Sequence, residues 1–188
     1  MKINKRGYWE NNSLIGHIYD ETLCVELYNY LKNHSVIDLG CGGGQYTKYF
    51  KERNMTCNCF DGNPHTPNIT NNLCGVLDLT EEIDVGIYDY VLCLEVGEHI
   101  PEEYENTLIK NIHKSNKLGV VLSWGIVGQQ GSGHINCRNN DYIRNIFENM
   151  GYVSNVDVEK KLRLSATYSW FHNTIMVFEK KSQNFLVT

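Results

Sequence analysis

The stretch Val36-Ile37-Asp38-Leu39-Gly40-Cys41-Gly42-Gly43-Gly44 constrains this chain more than any other. It predicts a short buried strand over residues 35–39 that runs into a loop of four glycines and one cysteine. Glycines let the backbone turn sharply and let a ligand approach the main chain closely. Residues 45–52 then predict a helix. Strand, glycine turn and helix are the opening unit of a parallel α/β sheet. Such sheets bind ligands beyond the carboxyl ends of their strands.

The rest of the chain repeats the alternation. Leu23, Leu27, Tyr30 and Leu31 recur at helical spacing, which predicts a helix over residues 20–32. Further strands are expected at 55–60, 76–79, 88–94 and 119–124. Helices are expected at 102–114, just after Pro101, and at 140–150, stopped by Gly151. Residues 152–159 and 174–180 carry β-branched and aromatic side chains, and predict two strands forming an antiparallel hairpin at one edge. The expected fold is a doubly wound, mostly parallel seven-stranded α/β sheet of Rossmann-like type. At 188 residues the chain is expected to be one domain, with residues 1–34 as an N-terminal cap and 35–180 as the core.

Composition excludes other classes. With 22 acidic and 17 basic side chains the net charge is -5. That balance argues against extended, charge-driven binding of nucleic acid. No run of apolar residues is long enough for a membrane span, and no apolar run follows Met1-Lys2-Ile3-Asn4-Lys5-Arg6, so a cytoplasmic protein is expected. The seven cysteines are odd in number and irregular in spacing. Cys57-x-Cys59 has no second pair to complete a zinc site. Reduced, mostly structural thiols are the expectation.

Three strand ends carry candidate ligand-binding groups. The dinucleotide fingerprint needs a glycine where Gln45 stands, and the acid Asp38 before the first glycine is foreign to it. A nicotinamide-dependent oxidoreductase is therefore disfavoured. Asp61 closes the second strand about 20 residues after the loop, where a carboxylate can accept both hydroxyls of a ribose; its other reading is a turn residue before Gly62. Asp78 on the third strand can accept an exocyclic amine; its other reading is a helix cap before Thr80-Glu81-Glu82.

With Asp61, Val76-Leu77-Asp78-Leu79 and Tyr88-Asp89-Tyr90-Val91-Leu92-Cys93-Leu94-Glu95, the glycine segment resembles the class I S-adenosylmethionine-dependent methyltransferases. The resemblance runs over about residues 36–180. It implies S-adenosylmethionine as cofactor, an antiparallel last strand, and the loop Gly40, Cys41 and Gly42 around the methionine part. It also implies Asp61 and Gly62 at the ribose, Asp78 and Leu79 at the adenine, and Asp38 and Glu95 as further acids of the cofactor site. The N-terminal helix, with Tyr8, Trp9 and His17 ahead of it, would lie over the cofactor.

The fourth strand ends in Glu95-Val96-Gly97-Glu98-His99-Ile100-Pro101. If the chain turns helical there, Glu95, Glu98 and His99 share one face. Two carboxylates and an imidazole suit a hard or borderline divalent ion such as magnesium or manganese. His134, in the loop after the fifth strand, is a further candidate ligand. Glu98, His99 and His134 are also the candidate catalytic groups. The other reading is a plain helix entry and a surface histidine.

Glu-x-x-Glu-His resembles the metal motif of two methyltransferase branches, one acting on a phenolic hydroxyl and one on the terminal ribose 2'-hydroxyl of small RNAs. Residues 128–136 resemble loops of small methyltransferases, some tied to glycan decoration. The expected reaction is O-methylation of a sugar or glycan hydroxyl. A small phenol or catechol, or an RNA end, are the alternatives, with Trp124, Trp170 and Phe171 as stacking candidates. A degenerate cofactor-binding module for a partner is the non-enzyme alternative. The intact acids at 38, 61, 78, 95 and 98 argue against it.

Overall fold

The first strand, β1 (Val36–Leu39), is buried along its whole length, so it can only lie inside a sheet covered on both faces. The computed structural model, which describes residues 2–181, places it inside the sheet, next to the central strand. β1 pairs in parallel with β2 (Cys57–Asp61) and with β4 (Tyr88–Cys93). β2 pairs in parallel with the two-residue edge strand β3 (Gly75–Val76), and β4 with β5 (Asn116–Ser123). β7 (Ile175–Lys180) runs antiparallel between β5 and β6 (Tyr152–Ser154). The order is β3-β2-β1-β4-β5-β7-β6. The chain moves outward from β1 to β3 and then crosses back to β4. The gap between the carboxyl ends of β1 and β4 is thus the switch point where such sheets open a ligand crevice.

Alternate residues of each strand face opposite sides. Ile37, Leu39, Val91, Val120 and Leu122 pack with Trp124, α4 (Glu105–Lys114) and α5 (Asn140–Asn149) in one core cluster. Val36, Leu92, Val121 and Val177 pack on the other side against α1 (Glu21–Leu31), α2 (Gln45–Lys51) and α6 (Val156–Ser165). Asp20 caps α1. One of its oxygens accepts from the Leu23 amide at 3.0 Å, and the other from the amides of Thr167 and Tyr168 at 2.7 and 3.0 Å, so a single carboxylate ties α1 to the chain that follows α6.

Four expectations need correction. The strand expected at 152–159 ends at Ser154. Asn155 accepts from the Val158 amide and caps α6 instead. With α6 and the short α7 (Phe171–Thr174) between them, β6 and β7 form no hairpin, although they pair antiparallel at the edge. The strand expected at 76–79 is only Gly75–Val76. Beyond it, Asp78 folds back on Thr80 rather than capping a helix. The cysteines are not all reduced: Cys59 and Cys74 form a disulfide, while Cys24, Cys41, Cys57, Cys93 and Cys137 are free. Cys57 and Cys59 take no common partner, because neighbours two apart on a strand are here separated by the buried surroundings of Cys57 under α2 and of Cys59 under the glycine loop.

No helix among the described residues is long and apolar enough to cross a membrane.

Candidate active site

A cavity of about 920 Å³ opens at the switch point. Its floor is the glycine loop, in which Gly40, Gly42 and Gly44 adopt φ of 81°, 53° and 68°, conformations that side chains disfavour. Its roof is the N-terminal segment. A Cβ at Gly42 would stand 2.6 Å from His17 Nδ1, and one at Gly62 would stand 2.7 Å from the Tyr8 ring. Trp9 bridges His17 and His99, with ring centroids 5.1 and 5.7 Å away. The segment ahead of α1 therefore covers the pocket, whereas α1 itself is buried in the core behind it.

Asp61 serves as both turn and site residue. One oxygen accepts from the Asn63 amide at 2.9 Å, and the other from the Gly42 amide at 2.8 Å, which pins the loop to the end of β2. Asp38 lies buried beneath. Burial pushes its carboxyl up to about 7, against a hydrogen bond from Thr47 at 3.2 Å. Asp78 and Leu79 line the cavity, but both Asp78 oxygens are engaged. One accepts from the Thr80 amide and hydroxyl, the other from Arg6 at 2.7 Å. Arg6 also pairs with Glu81. Nothing in the sequence marks Arg6 as a site residue; the fold carries it, with the N-terminal segment expected over the cofactor, back over the strand ends.

The expected helical face after β4 does not form. Glu95 sits at φ 53°, and Gly97–His99 make a single 3-10 turn. Glu95 points to Gln129 and Thr174, each at 3.1 Å. Glu98, His99 and His134 instead bring one donor atom each to within 4.8 Å of one another, without Glu95. The loop carrying His134 is tethered there, since the Glu98 carbonyl accepts from the amides of Ile135 and Asn136, both at 2.9 Å. Trp124, expected as a stacking residue, is fully buried. It forms the wall against Gly97, where a Cβ would meet its ring at 2.2 Å, and its Nε1 donates to the Asn136 carbonyl at 2.7 Å. Trp170 and Phe171 do line the cavity.

The electrostatics of this trio are unusual. Glu98 is 0% exposed and neither carboxylate oxygen has a hydrogen-bond partner. Burial and the neighbouring Glu95 charge push its pKa well up. His99 is pushed down to about 4, by burial and by His134. The Nδ1 atoms of His99 and His134 each face a carbonyl, of Gly133 and Gln129, at 3.2 Å. A carbonyl only accepts, so each Nδ1 carries a proton, and the neutral form of either ring then has its lone pair on Nε2. Space is left at His134 Nε2 by the missing side chain of Gly131, whose Cβ would stand 2.1 Å away. An orphaned buried carboxylate beside two imidazole lone pairs fits a divalent cation.

Glu105 holds the His134 loop in place from α4. It accepts from Arg138 Nε at 2.7 Å, Asn136 at 3.0 Å and Tyr142 at 2.5 Å. Burial works against its charge, but these three donors outweigh it and hold the carboxyl below its usual range. A depressed carboxyl stabilises the fold above the unfolded pKa of about 4.3, and that contribution is lost as pH falls through and below it. Replacing Glu105 with alanine is expected to cost about 3 kcal/mol at pH 7, because Arg138 loses its buried partner. Urea denaturation of both proteins should show the gap closing as the solution is acidified. A gap independent of pH would rule out the charged network as its source.

A family model described as a methyltransferase domain matches residues 16–123, and the chain belongs to that family. No curated protein matches the sequence. Among solved structures, magnesium protoporphyrin IX methyltransferase from Synechocystis PCC 6803 with bound S-adenosylmethionine is similar at TM-score 0.62 and 18% identity, over 85% of this chain and 78% of that one. The methyltransferase domain of bacterial CtHen1-C is similar at TM-score 0.60 and 16% identity, over 86% of this chain and 97% of that one. The 1,6-didemethyltoxoflavin-N1-methyltransferase of Burkholderia thailandensis reaches TM-score 0.57 at 15% identity, over 86% and 77%. The sheet order and antiparallel β7 described above agree with this shared fold.

Proposed function

We propose that this chain is an S-adenosylmethionine-dependent O-methyltransferase that uses a magnesium or manganese ion to methylate a hydroxyl of a sugar or glycan. The observation that carries the reading is the partnerless Glu98 carboxylate beside His99 and His134, at the strand ends that also hold the glycine loop. Membership of the methyltransferase-domain family supports the cofactor, as do the similar structures crystallised with S-adenosylmethionine or its homocysteine product.

Gly40, Cys41 and Gly42 would cradle the methionine part, Asp61 and Gly62 the ribose, and Leu79 the adenine, with Asp38 and Glu95 as acids near the cationic centre. Asp78 joins the adenine only when its ion pair with Arg6 opens. The cofactor, when bound, supplies a methyl group activated by sulfonium. Glu98, His99 and His134 would hold the divalent ion, whose chemistry is to lower the pKa of an acceptor hydroxyl and orient it. Where no ion is bound, His99 stays neutral near pH 7 and its lone pair can take the acceptor's proton. Trp170 and Phe171 offer apolar faces to a sugar ring, and Tyr8, Trp9 and His17 shield the pocket from water.

The test is a screen with labelled S-adenosylmethionine across sugars, nucleotide sugars, catechols and short RNAs. Methyl transfer to a sugar hydroxyl is expected, abolished by EDTA and restored by magnesium or manganese. Turnover unchanged after chelation removes the metal from the mechanism. Transfer only to a catechol or to an RNA end moves the acceptor to that class. Binding of S-adenosylhomocysteine without transfer to any acceptor favours a partner-binding module, and binding of NAD alone sinks the methyltransferase reading.

A further inference from the structure

On the far side of the glycine loop from Glu98 lies a second convergence of side chains. Phe60 on β2 pairs with Gly75 on β3, which sets Cys59 and Cys74 side by side at the sheet edge. Cys41 comes down onto them from the glycine loop. The three sulfurs lie within 4.8 Å of one another, and all three residues are buried. A Cβ at Gly44 would stand 2.5 Å from the Cys74 sulfur, so the cluster packs directly against the loop backbone. The proposed methyl transfer makes no use of these sulfurs.

We propose that, once the Cys59–Cys74 bond is reduced, Cys41, Cys59 and Cys74 form a three-sulfur site for a single Cu(I) ion. Thiolates select soft ions, of which Cu(I) and zinc are the common choices. Zinc in closed sites holds to four ligands. Here no fourth histidine, cysteine or carboxylate joins the group among the described residues. With metal–sulfur bonds of about 2.3 Å, three sulfurs sharing one ion stand about 4 Å apart. The reduced pair must part, and the present spread of all three sulfurs within 4.8 Å already matches the scale required. Cys41 also lines the large cavity, which gives the ion an entry path.

A dithiol reductant breaks the Cys59–Cys74 bond, becomes a cyclic disulfide, and leaves two cysteine thiols. Each thiol that ligates the ion gives one proton to solvent, and the copper stays Cu(I). Uptake is therefore expected to strengthen as pH rises.

The test uses the full chain, reduced with dithiothreitol, desalted without oxygen and titrated with Cu(I) buffered by bicinchoninate. One ion per reduced chain is expected, with the unreduced chain binding about 100-fold less tightly. Cys41→Ser should bind about 100-fold less tightly than the reduced parent while its disulfide still forms. His134→Ala should bind Cu(I) like the parent. Equal uptake by reduced and unreduced chains, full uptake by Cys41→Ser, or loss of uptake in His134→Ala would each overturn the proposal. If Cys41→Ser does not fold, copper-edge X-ray absorption of the reduced parent decides. Three sulfur neighbours support the site; nitrogen neighbours or two sulfurs refute it. The site stands or falls independently of methyl transfer.

Discussion

Glu98→Gln is expected to fold, to bind S-adenosylhomocysteine as the parent does, and to lose methyl transfer by about 1,000-fold. The reason is local. The parent carboxylate is fully buried without a hydrogen-bond partner, a costly arrangement unless a cation completes it. Glutamine keeps the shape and removes the charge. In the metal-free chain burial and Glu95 raise the Glu98 pKa, so its carboxyl costs stability as pH rises above about 4.3, the unfolded value. Glutamine removes that loss, and the metal-free variant should be at least as stable as the parent at pH 7. Single-turnover transfer at saturating magnesium or manganese, paired with calorimetry of S-adenosylhomocysteine, measures both halves. Parental turnover in the variant would remove Glu98 from the chemistry.

The second large effect concerns Asp61. Its alanine variant is expected to bind S-adenosylhomocysteine about 100-fold more weakly, near 3 kcal/mol, because two hydrogen bonds to a charged acceptor are each worth about 1.5 kcal/mol. Part of the loss comes from the loop itself, since Asp61 also holds the Gly42 amide. Asp61→Asn separates the two roles: it keeps an acceptor for Gly42 but no charge, and about a tenfold loss is expected. Calorimetry on the three proteins checks the order. Equal affinities would place the ribose elsewhere.

Strand positions were the most legible part of the fold. Val36–Leu39 and Tyr88–Cys93 are rich in apolar residues because both their faces are covered, and that burial writes itself into composition. Residues 152–159 misled for a physical reason. Tyr152, Val156 and Val158 alternate with polar neighbours much as in a strand, yet Asn155 caps a helix whose Val158 and Leu162 pack with α1 in the second core cluster. Periodicity over eight residues cannot separate the two, and tertiary contact chose the helix.

The site divides in the same way. The glycine loop and Asp61 follow directly from strand ends, since a strand that closes on a polar residue presents it at the crevice, whereas Asp38 lies inside β1 and Asp78 two residues beyond β3. The convergence of Glu98, His99 and His134 does not follow from strand ends. Glu95, Glu98 and His99 look like a set at helical spacing, but a left-handed residue at 95 and a 3-10 turn after it turn Glu95 aside. His134 takes its place through two backbone hydrogen bonds to the Glu98 carbonyl, a contact no local pattern encodes. Arg6 reaches Asp78 across 72 residues, and Cys59 reaches Cys74 only because Phe60 pairs with Gly75. Sequence by itself determined the sheet, the turn that floors the pocket and the charges at its rim, because burial and backbone conformation constrain residue type one position at a time. Which donor side chains converge, how Arg6 meets Asp78 and which sulfurs meet were decided only by tertiary structure, because these depend on strand register and on loops tethered by main-chain groups that every residue carries alike.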